Sequence, residues 1–197
     1  LRQATPKKFN CYIEPFCGSA CLYIDRKPEK ALLSDNNSEL IHFYRRLQIR
    51  PAHIARLAHA MPISEQFYYD LRSTFPASLS SDDRAARFLY LNRYCFNGVY
   101  RTNNAGYFNV PRGKHMGNIP SIDEIEAFGR FIRSAEFLTS DFEDIVALAG
   151  PGDFIYLDPP YAGRDVRDRG EYGANAFKQQ DIERFALACN AAASRGI

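Results

Sequence analysis

The sequence has no glycine–lysine–serine/threonine run. The phosphate-cradling loop of nucleotide hydrolases is therefore absent, and ATP hydrolysis is not supported. No apolar stretch approaches the ~20 residues of a membrane-spanning helix, and no signal-peptide pattern is visible. The five cysteines (Cys11, Cys17, Cys21, Cys95, Cys189) are an odd number without zinc-ligand spacing. They read as buried free thiols in a reducing compartment, with packing favoured over redox chemistry at Cys17 and Cys21. One glycine, Gly18, stands in the turn after the first expected strand, so the three-glycine dinucleotide fingerprint is missing. Repeats and low-complexity tracts are absent too. Net charge is only +2, which by itself demands no polyanionic partner. Lysine is scarce beside arginine, and Arg84, Arg87, Arg93, Arg101 and Arg112 crowd one segment. Arginine's fork suits a phosphate or a base edge, although a solvated face explains such a run as well.

What is present fits one core with a small second lobe, at 197 residues. Residues 11–13 read as a strand ending in Glu14 and Pro15, 16–20 as a small-residue turn and 21–25 as a helix. A second strand over 31–33 ends at Ser34 and Asp35, and Asn36 or Asn37 caps the helix that follows. This is the opening of a Rossmann-like α/β sheet. From Pro51 the pattern becomes helical, over 52–59, 65–75 and 82–94. A polar stretch over 97–118 follows, long enough for a functional or mobile loop. Ser121 caps a helix over 122–134; 136–139 reads as a strand and 142–148 as a helix. A Gly-Pro-Gly-Asp turn leads into a strand over 154–157, and a final helix starts near Asp181. The sheet is thus expected over 1–50 and 119–197, interrupted by a mainly helical insertion over 51–118 with a loop at 96–113.

Acids recur at the strand ends. FIYLDPPYAGR, residues 154–164, carries a buried-strand run into Asp158, two prolines and Tyr161. Pro159 and Pro160 fix φ and donate no N–H, so the carbonyls of Asp158 and Pro159 are held still. The C-terminal edge of a parallel sheet is where ligands bind. An acid, a fixed carbonyl and a ring can together hold a flat molecule bearing an amino group; a polar stopper at a strand end is the plain alternative. Asp35 is placed for two ribose hydroxyls or for a helix cap. Asp141 and Phe142 suit an exocyclic amine and a purine face, or an N-cap and a core ring.

Together, Glu14-Pro15-Phe16-Cys17-Gly18-Ser19-Ala20, Ser34-Asp35-Asn36-Asn37 and Asp158-Pro159-Pro160-Tyr161 resemble the Dam-like adenine-N6 DNA methyltransferases. The block FLYLNRYCFNGVYRTNNAGYFNVPRG, residues 88–113, sharpens the resemblance, because DPPY-type motifs alone also occur in RNA and glutamine methyltransferases. The likeness runs through the whole chain, glycine motif first and DPPY motif late. It implies a methyltransferase sheet over 1–50 and 119–197 and a DNA target-recognition domain over 51–118. By the resemblance, Glu14, Pro15, Phe16, Gly18, Asp35, Asp141, Phe142 and Asp158 hold S-adenosylmethionine, leaving S-adenosylhomocysteine as product. Asp158, Pro159, Pro160 and Tyr161 hold the target adenine. Arg93, Phe96, Asn97, Val99, Arg101, Asn109, Pro111 and Arg112 meet the DNA, with Phe96 wedged into the stack and Arg101 on a guanine. No metal is implied.

Two residues depart from the family pattern. Ala20 replaces a second motif glycine, adding a methyl near the cofactor, and Val99 is smaller than the common leucine. The recognition sequence, GATC or another, stays open. The family also carries a basic Gly-Gly-Lys segment before the first strand and closing strands after the last helix; the chain is expected to be part of a longer protein. The resemblance further implies a monomer in solution that binds double-stranded DNA, away from membranes, in the cytoplasm of a bacterial or phage-infected cell; the role, as restriction partner, phage enzyme or housekeeping mark, stays open. Residues 164–177, with Gly170 and Gly173, are expected to close over the substrates. An amine methyltransferase of this fold acting on RNA, and a non-catalytic binding module, are the competing readings.

Overall fold

The computed structural model describes residues 6–103, 105–114, 116–160 and 177–197. Tyr161 and the expected closing segment up to residue 176 lie outside them. The described chain forms two compact units, one from residues 6–41, 134–160 and 177–197 and one from 42–133.

The first unit is an α/β layer. Its elements are β1 (Tyr12–Glu14), α1 (Cys21–Arg26), β2 (Ala31–Asp35), β3 (Glu136–Thr139), α7 (Phe142–Leu148), β4 (Phe154–Ile155) and α8 (Gln179–Ser194). The strands are all parallel, in the order β3-β2-β1-β4. This is the order of the first strands of a doubly wound sheet, and it reverses direction between β1 and β4. β1 is buried throughout, as a strand flanked on both sides should be. Ile13, Ile145 and Ala149 form a core to which Leu32, Leu138 and Ile155 add. The run 154–157, expected as one strand, pairs over Phe154–Ile155, and the Tyr156 N–H then donates to the Ile13 carbonyl at 2.8 Å. The chain then enters the two prolines, which cannot donate to a ladder.

α2 (Ser38–Ile49) leads from this unit into the second, which holds α3 (Pro51–His59), α4 (Glu65–Ser73), α5 (Ser81–Tyr94) and α6 (Ile122–Phe131). Pro51 occupies the first turn of α3, where a missing N–H costs nothing. Ser64, Ser80 and Ser121 cap α4, α5 and α6, the last through a full capping box with Glu124. Gly129 of α6 lies where a Cβ would sit 2.6 Å from the Leu47 carbonyl and 2.7 Å from Pro51. That close helix approach requires glycine. Asp82 is buried at the start of α5 and binds Arg46 and, at 2.7 Å, Arg50. These two arginines hold its carboxyl below the ordinary range even though burial pushes the other way.

The polar stretch after α5 is a pinned hairpin and not a free loop. Cys95 bridges Arg112, and Thr102 bridges Phe108, both antiparallel. The Phe96 N–H donates to the Pro111 carbonyl at 2.9 Å, and the Asn103 N–H to the Tyr107 carbonyl at 2.8 Å. The arginine run divides: Arg87 is buried, and its guanidinium donates to the carbonyls of Leu71 and Arg72 at 3.0 Å, closing the end of α4. Arg93 is exposed. Of the five free thiols, Cys17 and Cys95 are buried as expected, whereas Cys21 is exposed.

Candidate active site and recognition hairpin

Each of the four parallel strands delivers an acid to the same sheet edge. Glu14 ends β1, Asp35 ends β2, Asp141 follows β3 and Asp158 follows β4. β1 and β4 meet at the reversal point of the sheet, where ligands of open α/β folds bind. A cleft of about 560 Å³ opens there, lined by Glu14, Phe16, Gly18, Cys21, Tyr156 and Asp158 among others.

Glu14 is 3% exposed, and the buried Tyr12 hydroxyl donates to its Oε2 at 2.8 Å. Burial pushes the carboxyl up to about 7; the charge of Asp158 adds to this, and the Tyr12 bond opposes it. Tyr156, directly after β4, repeats the arrangement, its hydroxyl donating to Asp158 Oδ2 at 3.3 Å. Both tyrosines stand two residues before their acid; on β1 the strand period puts Tyr12 and Glu14 on one face. That spacing, Tyr-x-Glu and Tyr-x-Asp, is visible in the sequence and went unread. Asp158 itself is exposed at the cleft.

The turn after β1 is held from beneath. Cys17 N–H donates to the Ser34 carbonyl at 2.8 Å, and Ala20 N–H to the Cys17 carbonyl at 2.6 Å. Gly18 takes φ +44°, and a side chain there would project into open space. Its N–H donates to Asp35 Oδ2 at 3.1 Å, while Asp35 Oδ1 accepts from Asn37 N–H at 2.9 Å. Burial raises the Asp35 carboxyl, against the pull of those two N–H groups. Asn37, not Asp35, caps α2, accepting from Glu39 and Leu40 N–H. Asp35 does not line the cleft; it braces the glycine that does. Ala20 adopts φ 53°, a left-handed conformation costing about 1 kcal/mol without glycine. Its methyl is buried and not part of the cleft wall, so it fills protein space and not the cleft.

Asp35→Ala is therefore expected to loosen the turn as well as any ligand contact. Losing an acceptor for two backbone N–H groups should lower unfolding stability by about 2 kcal/mol. Denaturant titration checks this, with an unchanged midpoint contradicting the bracing role.

Asp141 and Phe142 reach the same edge already engaged. Asp141 caps α7 through Glu143 N–H at 3.0 Å and pairs with Arg184 at 2.8 Å. Arg184, on α8, also binds Glu143 and Asp181 and lies 5.0 Å over the Phe142 ring. Phe142 is 4% exposed, stacked on Phe16 at 5.3 Å, with Phe177 and Phe185 around both. Sequence reasoning missed Tyr12, Tyr156, Arg184 and the two outer phenylalanines. Arg184 is separated from Asp141 and Glu143 by about forty residues, beyond any local pattern.

In the second unit the hairpin displays Phe96, 52% exposed, and Val99, 38% exposed. Asn97 between them takes φ 54° and Gly98 φ 65°. Arg93 and Pro111 are exposed; Arg101, Asn109 and Arg112 are half-buried. Arg101 does not pair with Asp82 or Asp83. Its Nε donates to Asn109 Oδ1 at 3.1 Å, Asp82 is held by Arg46 and Arg50, and Asp83 accepts from Ser80.

Comparison with known proteins agrees with this geometry. The family described as "D12 class N6 adenine-specific DNA methyltransferase" matches residues 1–196. "Type II methyltransferase M1.LlaDCHI" of Lactococcus lactis subsp. cremoris is 38% identical over 170 residues, 82% of this chain and 60% of that protein. "DNA adenine methylase" of Serratia marcescens is 37% identical over 183 residues, 90% of this chain and 67% of that protein. "DNA N-6-adenine-methyltransferase" of Escherichia phage P1 is 35% identical over 189 residues, 93% of this chain but 25% of that protein. The chain thus spans about 60% of the length of the Lactococcus relative. With the strand-edge acids, the cleft at the sheet reversal and a match from end to end, the chain belongs to the D12 class of N6 adenine-specific DNA methyltransferases, the Dam-like family.

Proposed function

We propose that this chain carries the cofactor- and base-holding machinery of an enzyme that methylates adenine N6 in duplex DNA. The observation that carries the proposal is the cleft at the β1–β4 reversal, where Glu14, Phe16 and Gly18 meet Tyr156 and Asp158. These residues fit S-adenosylmethionine. Glu14 offers a carboxylate for a cationic group, Phe16 a half-buried ring, and Gly18 an opening that a Cβ would enter. When bound, the cofactor supplies an electrophilic methyl group.

The rest is work for the protein. The adenine amino nitrogen is a weak nucleophile because its lone pair is delocalised into the ring. Asp158 and the Pro159 carbonyl accept hydrogen bonds from its two N–H groups, which favours a more tetrahedral nitrogen and developing positive charge at transfer; the methylated nitrogen is acidic and then gives up one proton to solvent. Tyr156 orients the Asp158 carboxylate through its hydroxyl. Positioning then supplies much of the rate. The target base must leave the helix, costing a few kcal/mol, and Tyr161 offsets part of this by stacking on it. Phe96 fills the gap, and Arg101 reads a guanine edge on the hairpin. Double-stranded DNA is the partner, in the cytoplasm.

Transfer of labelled methyl from S-adenosylmethionine to duplex DNA, single-stranded DNA and RNA tests the proposal. Label recovered as N6-methyladenine from the duplex is the expected result. Label on RNA would move the chain to the RNA-modifying class, and cofactor binding without turnover would leave a binding module.

A further inference from the structure

We infer that Asn109 is a positioning residue that sets the Arg101 fork for base reading and makes no base contact of its own. The inference rests on the duplex-DNA reading above. Three observations carry it. The two residues face each other across the hairpin, with Asn109 N–H donating to the Arg101 carbonyl at 3.1 Å. Their side chains repeat that link, Arg101 Nε donating to Asn109 Oδ1 at 3.1 Å. Asn109 is itself fixed. Its neighbours Phe108 and Val110 are buried, so the strand alternation turns Asn109 to the other face. The Val110 carbonyl accepts from the buried Tyr68 hydroxyl at 3.0 Å and from Arg72 at 3.3 Å, both on α4.

The consequence is chemical. With Nε bound to Asn109, the two terminal nitrogens of Arg101 remain for the O6 and N7 acceptors of guanine. A guanidinium is planar, so fixing Nε fixes the plane in which those donors point. An asparagine that reads adenine needs both its oxygen and its amide nitrogen. Asn109 already engages one of its oxygen's two lone pairs with Arg101, and this bond sets the orientation of its amide by the guanidinium and not by a base. The energetic gain is preorganisation: the fork meets DNA with its orientation already set.

The test is a double-mutant cycle on methylation of duplexes substituted one base pair at a time. The readout is the ratio of kcat/KM for the preferred duplex to that for each substituted one. Uniform losses of rate or affinity cancel in this ratio. Arg101→Ala should flatten the ratio at one base pair, by about 5- to 150-fold. Asn109→Ala should flatten it at the same pair by a smaller factor and leave the other positions discriminating. In the Arg101→Ala background, Asn109→Ala should change that ratio no further. Asn109→Asp keeps the acceptor and should restore discrimination, whatever its added charge does to overall affinity. The inference is overturned if Asn109→Ala lowers all substrates alike, relaxes a different base pair, or adds its full effect to that of Arg101→Ala. A wild-type chain that methylates RNA, or nothing, would instead refute the duplex-DNA reading.

Discussion

Asp158→Ala should abolish methyl transfer, by ~10²-fold or more, while the protein stays folded and continues to bind S-adenosylmethionine. The expected size is that of removing one acceptor or donor aimed at charge developing in a transition state. The structure explains why folding should survive. Asp158 is exposed, and the Tyr156 hydroxyl meets its carboxylate at a long 3.3 Å. The neighbouring backbone is fixed by Pro159 and Pro160 and by the Tyr156 bond to Ile13, none of which needs the carboxylate. Cofactor affinity near neutral pH should hold or rise slightly. The Asp158 charge helps keep the Glu14 proton on, so removing it lets Glu14 ionise more easily. Single-turnover rates, cofactor titration and thermal unfolding of the variant check the three parts separately. A rate within about tenfold of wild type would remove Asp158 from the chemistry. A lost cofactor affinity would make it a binding group.

How much of this was legible beforehand differs by element, for physical reasons. Helices with a cap and apolar periodicity were readable: Ser121 marked α6, and Asp141 marked the start of α7 at Phe142. The parallel sheet was readable from short apolar runs ending in acids, because strands buried on both faces carry little else. The hairpin was not. Its two bridges, Cys95 with Arg112 and Thr102 with Phe108, join residues without alternating hydrophobicity. Its anchors, Tyr68 and Arg72, lie about forty residues away on α4. Arg87 misled for a related reason. A buried arginine that caps another helix's carbonyls has the same sequence as one that faces a phosphate. At the site, the motif acids stood out because their residue types are chemically suggestive. The residues that tune them, Tyr12, Tyr156 and Arg184, look like ordinary core and surface positions until the fold brings them together.

Glu14→Gln should change the pH response of both stability and cofactor binding, in opposite senses. The folded Glu14 carboxyl is raised to about 7, against 4.5 ordinarily. Between these values the unfolded chain has lost the proton while the folded chain keeps it. Wild-type stability should therefore fall as pH rises from about 4.5 to about 7, by about 3 kcal/mol in all, and stay level above that. Glutamine keeps an acceptor for the Tyr12 hydroxyl and carries no charge to bury. The variant should match wild type near pH 4.5 and unfold several degrees higher at pH 8. Binding should run the other way. The ionised carboxylate is the form that attracts a cationic cofactor, and a bound cation in turn favours ionisation. S-adenosylmethionine affinity of the wild type should therefore climb between about pH 6 and pH 8 and release a proton on binding. In Glu14→Gln that climb should vanish, with affinity at pH 8 reduced about tenfold or more, as for a charge-assisted hydrogen bond of roughly 1.5–3 kcal/mol. Calorimetry in buffers of different ionisation enthalpy measures the proton release, and thermal melts across the same range measure stability. A variant less stable than wild type at pH 8 would mean that the buried carboxylate is better held when charged. Equal pH slopes of affinity in both proteins would mean that another group carries the proton, and Glu14 would then be a wall of the cleft and not its charge.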